Sequence, residues 1–281
     1  MNHILIPTDF STSSLHAITY ALDFFRGETC SFHLLHVQKT SEYQTGNLMS
    51  SDASASIQDS IIQEDSDKLT SLIHTLSAKY PHQSYHFIPE IEYDPFTDAI
   101  NQIIIAKNID LIVMGTNGVS GFKEVIFGSN TVNVIRNTSC PVLIVPKGYI
   151  FESIQNVLYT VDNSNNCPTH LLSPLKTILQ NHAAHLKILN IKNEEHIKNE
   201  ETNTKKQLES FFSNIPQSYH PIVNVSTKEA INSFIQIMNI DLNAMFIKKE
   251  TLIERYITGS KNINISYKTI VPLLVIHEDI Q

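Results

Sequence analysis

The chain contains one segment twice, and the second occurrence keeps register with the first. Asn108-Ile-Asp-Leu111 recurs as Asn239-Ile-Asp-Leu242, 131 residues later. At the same offset Gly128-Ser129 meets Gly259-Ser260, Pro141 meets Pro272 and Leu143 meets Leu274. A register held without a gap over about thirty residues marks a duplication. The starts correspond too, Ile4-Leu-Ile-Pro-Thr-Asp9 paralleling Val157-Leu-Tyr-Thr-Val-Asp162, at another offset because the intervening loops differ in length. Two copies of roughly 140 residues, each able to bury its own core, explain the length. Domains are expected at 1–147 and 154–281. The short linker Lys147-Gly-Tyr-Ile-Phe-Glu152 would let them pack as a pseudo-dimer.

Each copy alternates strand and helix patterns. In the first, strands are predicted near 3–7, 31–37, 84–91, 110–114 and 141–146, and helices near 12–26, 55–79, 96–107 and 129–137. In the second, strands are predicted near 155–161, 185–191, 218–226, 242–247 and 270–276. Its helices fall near 166–181, 196–213, 227–238 and 255–266. Leu111-Ile-Val-Met114 and Val142-Leu-Ile-Val145 are apolar throughout, as parallel strands covered on both faces require. The fold class is therefore α/β.

Composition narrows the function classes. Net charge is −8, nearly all of it in residues 1–147, and neither half carries the basic patch of a nucleic-acid binder. No window approaches the ~18 uncharged apolar residues of a membrane span. The N-terminus runs straight into a strand without a basic region and apolar segment, so no signal peptide is read and a cytoplasmic protein is expected. Cys30, Cys140 and Cys167 lack CxxC spacing, which fits a reducing compartment and neither zinc nor disulfides. Thirteen histidines suggest metal, but His33 and His36 fall on opposite faces of a strand, and His182 and His185 straddle a helix-to-strand turn.

The chemistry sits in Gly115-Thr-Asn-Gly118, followed after nine residues by Gly128-Ser129. An apolar strand delivers the chain into a loop with glycines at 115, 118, 121 and 128, and a helix begins at Ser129-Asn130-Thr131. Glycine tolerates positive φ and lets backbone approach a ligand closely. A helix start adds unpaired N–H groups and partial positive charge. Together they form a phosphate cradle that is neither the Walker pattern nor the dinucleotide G-x-G-x-x-G. The bland alternative is a tight surface turn with Ser129 as N-cap. A second polar loop, Pro7-Thr8-Asp9-Phe10-Ser11, leaves the first strand at its carboxyl end. Two such loops at one end of a parallel sheet favour a nucleotide crevice. In the second copy the offset places Phe246 at Gly115, Lys249 at Gly118 and Leu252 at Gly121. Side chains there would obstruct positive φ and close approach. That half is expected to serve packing, partner contact or regulation, with Lys248 and Lys249 as an alternative phosphate contact.

Pro-x-Asp-x-Ser after the first strand, Met-Gly-x-x-Gly-x9-Gly-Ser, and Cys-Pro-Val-Leu-Ile-Val-Pro together resemble the universal stress protein family, in its tandem two-domain form. The resemblance covers 1–147 and, degraded, 154–278. It implies two Rossmann-like (adenine nucleotide alpha hydrolase-like) domains, each a five-stranded parallel sheet in order 3-2-1-4-5. In the family this glycine spacing marks the members that bind ATP. By that resemblance Pro7, Thr8 and Asp9 sit against the nucleoside, Asp9 toward adenine or ribose, and Val37 lines the adenine pocket. Met114 and Gly115 approach the ribose and α-phosphate. Gly118, Gly128, Ser129, Asn130 and Thr131 hold the phosphates, with magnesium among them. Asn117 departs from the basic or aromatic residue often found in this loop.

Each assignment has a plainer alternative. Asp9 could cap the helix starting near Ser11, Met114 and Val37 could be core residues, and Cys140 a buried filler. Three functions stay open: a stress-response regulator binding ATP with magnesium in its first half, a weak ATPase, and a nucleotide-free interaction scaffold. For hydrolysis, Lys123, Glu124 and Asn130 lie near the loop, without a P-loop lysine or an arginine finger in cis. The expected partners are an adenine nucleotide and a protein partner or second copy along the sheet edges, with no nucleic acid and no membrane.

Overall fold

The computed structural model describes residues 1–38, 51–116, 125–162, 168–192, 201–248 and 268–278. It resolves into two compact units, Met1–Val113 and Met114–Gln281, divided inside a strand. In the first unit β1 (His3–Pro7), α1 (Thr12–Phe24), β2 (Cys30–Val37), α2 (Ser51–Lys79), β3 (Tyr85–Glu92) and α3 (Phe96–Lys107) lead into β4 (Leu111–Gly115). The strands lie in order β3-β2-β1-β4. Parallel pairing sets Ile4 opposite Phe32 and Leu111, and Phe32 opposite Phe87. Ile4, Leu5 and Ile6 are completely buried, each contributing roughly 1.5–3 kcal/mol of apolar burial. On α1 the buried residues Ser14, Ala17, Ile18, Ala21 and Phe24 recur at helical spacing, forming the stripe that faces the sheet.

The end of α3 shows why Asn-Ile-Asp-Leu is repeated. Asn108 adopts the left-handed conformation (φ 50°) that closes the helix, and the Ile109 N–H reaches back to the Ile104 carbonyl at 3.1 Å. Asp110 Oδ2 then accepts the N–H groups of Asn2 (2.7 Å) and His3 (3.0 Å), tying the start of β4 to the start of β1.

The second unit begins with the last residues of β4. It continues with β5 (Val125–Ile126), α4 (Ser129–Asn137), β6 (Val142–Val145), β7 (Asn156–Asp162) and α5 (Ser173–Asn181). Then come β8 (His185–Lys192), α6 (Glu201–Phe211), β9 (Gln217–Val223), α7 (Thr227–Ile237), β10 (Leu242–Ile247), β11 (Lys268–Thr269) and β12 (Leu273–His277). Just past β4, the Thr116 N–H donates to Val145 O at 3.1 Å, so β4 runs beside β6. Beyond β6 the order is β12-β10-β7-β8-β9, with β6 and β12 antiparallel. Each copy thus has the expected order 3-2-1-4-5, β3-β2-β1-β4-β6 in the first and β9-β8-β7-β10-β12 in the second. The reversal in the first copy falls between β1 and β4.

Differences from the sequence reading are local. The helix expected at 166–181 starts as a 3-10 turn, Thr169–Leu172, because Pro174 cannot donate an N–H within a helix and instead occupies the first turn of α5. Strand β9 stops at Val223, where Asn224 turns to φ 60°. Two short strands were not anticipated: β5 and β11 pair antiparallel, Val125 opposite Thr269. The helix expected at 255–266 lies outside the described residues. Pro89 in β3 and Pro221 in β9 each remove one donor from an outer strand, so a strand added at either edge would meet an interrupted row. No described helix is long and apolar enough to cross a membrane.

Candidate functional site

Pro7 ends β1 and is buried, and Thr8 anchors the loop beyond it. The Thr8 N–H donates to Leu35 O at 2.7 Å, and its carbonyl accepts from His36 Nδ1 at 2.9 Å. Its hydroxyl meets Ser14 Oγ at 3.1 Å and accepts the Phe10 N–H at 3.1 Å. The N–H, carbonyl and hydroxyl of Thr8 are thus all engaged inside the fold. Phe10 reverses the chain at φ 59°, an uncommon conformation for a bulky residue, with its ring 4.8 Å from that of His36. The turn leaves Asp9 exposed at the carboxyl end of the sheet.

Asp9 does not cap α1. Ser11 is the N-cap, its side chain accepting the Ser14 N–H at 3.3 Å, because the reversal at Phe10 places Asp9 outside the helix start. Asp9 Oδ1 instead accepts the Ser11 N–H at 3.1 Å. Burial raises its pKa, but hydrogen bonds from the side chain and amide of Ser11 and from Ser14 outweigh that and hold it below the usual carboxylate value. Asp9 is therefore an ionised acceptor at neutral pH, suited to amino or hydroxyl donors.

At the end of β2, Val37 is half-buried. Its neighbour His36 has a role that the sequence reading did not find. Beyond its bond to Thr8, its Nε2 lies 3.4 Å from Asp65 Oδ2 on α2. Asp65 is buried, and Gln38 Nε2 donates to it at 3.1 Å. The loop after β1 is thus tied through His36 to α2. No local pattern announces such a contact, since Asp65 is 29 positions away in an ordinary helical stretch. His33 has different partners, Glu90 at 3.0 Å and His3 at 3.3 Å, as its opposite-face position requires. Among the described residues no three His, Cys, Asp or Glu gather as metal ligands.

In the second unit Met114 is buried and Gly115, the last residue of β4, half-buried. Thr116, completely buried, fixes the exit: besides its bond to β6, its Oγ1 accepts the Lys147 N–H at 3.2 Å. Gly118 lies outside the described residues, as do Asn117, Gly121, Lys123 and Glu124. Gly128 is the N-cap of α4, in extended conformation (φ −67°, ψ 159°), and among the described residues no side chain caps the helix. Ser129 is the first helical residue and not the cap. Neither Gly115, a strand residue, nor Gly128 uses positive φ. What glycine supplies at these two positions is the absence of a Cβ, which permits close approach. Ser129 and Asn130 are exposed, while Thr131 is buried. Among the described residues the arrangement offers first-turn N–H groups without a side-chain cap, at a helix end with positive potential.

The second copy differs at the matching position. Phe246 occupies the place of Gly115 and is almost completely buried in β10. Lys248 pairs with Glu278 at 3.4 Å. Lys249, Leu252 and Gly259-Ser260 fall outside the described residues.

A model of the universal stress protein family matches residues 1–146, just over half the chain. The chain belongs to the universal stress protein family. A curated universal stress protein of Methanocaldococcus jannaschii is 27% identical over 148 residues, covering 51% of this chain and 81% of the relative. A universal stress protein A homologue of Coxiella burnetii is 27% identical over 143 residues, covering 51% of this chain and 94% of the relative. Both matches span about one copy. A solved universal stress protein from Archaeoglobus fulgidus matches with a TM-score of 0.73 over 98% of both chains at 21% identity, a likeness in fold. The family match covers the first copy, and the second repeats its strand order.

Proposed function

We propose that the chain is a regulatory universal stress protein that binds an adenine nucleotide, ATP with magnesium, in its first copy. The carrying observation is the uncapped start of α4 behind a glycine-rich loop, where N–H groups and the helix dipole favour phosphate oxygens. The nucleoside would meet Pro7, Thr8, Asp9 and Val37, with Asp9 accepting from ribose hydroxyls or the adenine amino group. Met114 and Gly115 would adjoin the ribose and α-phosphate. Gly118, Gly128, Ser129, Asn130 and Thr131 would serve the remaining phosphates. Magnesium would arrive with the nucleotide and draw its ligands mainly from phosphate and water, the usual habit of that ion. The residues fit such a group: an ionised acceptor for the nucleoside and uncapped donors for the phosphates.

The second copy is proposed to bind no nucleotide. Phe246 fills the position that Gly115 leaves open, and no glycine stands at 249 or 252. Occupancy of the first copy would then report nucleotide level to a partner. Mass spectrometry of the small molecule released on denaturing freshly purified protein tests this, with an adenine nucleotide expected. A ligand-free preparation whose melting temperature is unmoved by millimolar ATP would overturn it, because even a micromolar site stabilises measurably at that concentration.

A further inference from the structure

The second copy touches the strand and helix that follow the first copy's glycine-rich segment, within Met114–Gln281. Strand β11 pairs with β5, which lies between the glycine loop and α4: Lys268 stands opposite Ile126, and Thr269 opposite Val125. Strand β12 pairs antiparallel with β6, immediately after α4, Leu273 opposite Ile144 and Val275 opposite Val142. At the end of β12, the buried His277 donates from Nε2 to Ile135 O at 2.8 Å. Ile135 lies in the last turn of α4, where carbonyls have no partner within the helix. The chain leaves at Thr138 in extended conformation, so no Schellman turn takes up these acceptors.

We infer that His277 is a positioning residue for the phosphate-binding end of the first copy, acting through α4 together with the β5–β11 ladder. This rests on the nucleotide reading above. Helix α4 has nine residues, about 13 Å from end to end. Fixing the Ile135 carbonyl at one end and the strand ahead of the helix at the other sets where its first N–H groups point. Without the imidazole a buried carbonyl loses its donor, and the helix end must shift to find another. The second copy, with bulkier side chains where the first has glycines, would thus hold the helix whose start its neighbour offers to phosphate.

The test compares phosphate-bearing and phosphate-free ligands, since a general loss of structure weakens both. ATP and adenosine are measured in competition against one fluorescent ATP analogue, with wild type, His277→Leu, His277→Asn and His277→Gln. The Gln amide can reach the Ile135 carbonyl as Nε2 does, the shorter Asn falls short, and Leu has no donor. Expected is an approximately tenfold loss of ATP affinity for Leu and Asn, adenosine within twofold of wild type, and recovery to within threefold for Gln. If Leu fails to fold, Asn against Gln decides alone. Equal losses for ATP and adenosine, no loss at all, or Gln no better than Asn would overturn the inference. Wild type binding neither ligand overturns the nucleotide reading and this inference with it; wild type binding both with an unmoved ratio overturns this inference only.

Discussion

Where each copy's fourth strand begins, the same bonds appear twice. Asp110 Oδ2 accepts the N–H groups of Asn2 and His3, and Asp241 Oδ2 accepts those of Gln155 and Asn156, both at 2.8 Å. Asn108 and Asn239 take the same left-handed conformation, φ 50° and 47°, and Ile109 and Ile240 reach back to Ile104 and Ile235 at 3.1 Å. At the other end of those strands the copies part. Gly115 is half-buried and leads into the loop, whereas Phe246 is packed into the core. The entry of the strand serves the fold, because in both copies a carboxylate ties two N–H groups at the start of the neighbouring strand, whatever the molecule binds. The exit carries no such requirement. It is free to be a glycine in one copy and a packed phenylalanine in the other.

The largest effect expected from this contrast is in stability. Phe246→Ala should cost about 4 kcal/mol, the usual result of emptying a buried aromatic site, with ATP affinity changed less than threefold. Urea unfolding and calorimetric titration measure the two. An ATP affinity that collapsed with the phenylalanine would erase the distinction between the copies.

A smaller effect concerns His277. Burial drives its pKa down to about 4, and the backbone carbonyls of Ile135 and Cys140, which favour the charged ring, only partly oppose this. In the unfolded chain an imidazole titrates near 6.5, so between about pH 6.5 and 4 the unfolded state binds the extra proton and stability falls with pH. The contribution is fully present above about pH 6.5 and amounts to about 3 kcal/mol across the window. Unfolding at pH 7, 5.5 and 4 should show wild type losing more than His277→Gln by that amount; parallel losses would mean the ring is not buried in neutral form. Smaller still, Asp110→Ala and Asp241→Ala should each cost about 1.5 kcal/mol through loss of two hydrogen bonds to a carboxylate. The costs should match within about half that value, and strongly unequal ones would show that the repeated clamp is not equivalent in the two copies.

The alternation of strand and helix was legible because apolar runs such as Leu111–Met114 and the stripe on α1 carry the period of their elements. The repeat was legible because Asn-Ile-Asp-Leu is a set of backbone bonds written in side chains. Caps were legible only in kind: Ser11 serves where Asp9 was one candidate, and Gly128 where Ser129 was expected, since a reversal at Phe10 and an extended Gly128 are decided by backbone geometry. The β5–β11 ladder was not legible, because two residues are too few for any periodicity. Nor were His36–Asp65 and His277–Ile135, which join residues 29 and 142 positions apart and have no counterpart in local sequence.

The central claim is that one copy binds and the other does not, and binding stoichiometry tests it most directly. Calorimetric titration of ATP with magnesium into wild type and Gly115→Val should give one site per chain for the first and none for the second, while both melt within a few degrees of each other. Two sites per chain, or unchanged binding by Gly115→Val, would contradict it.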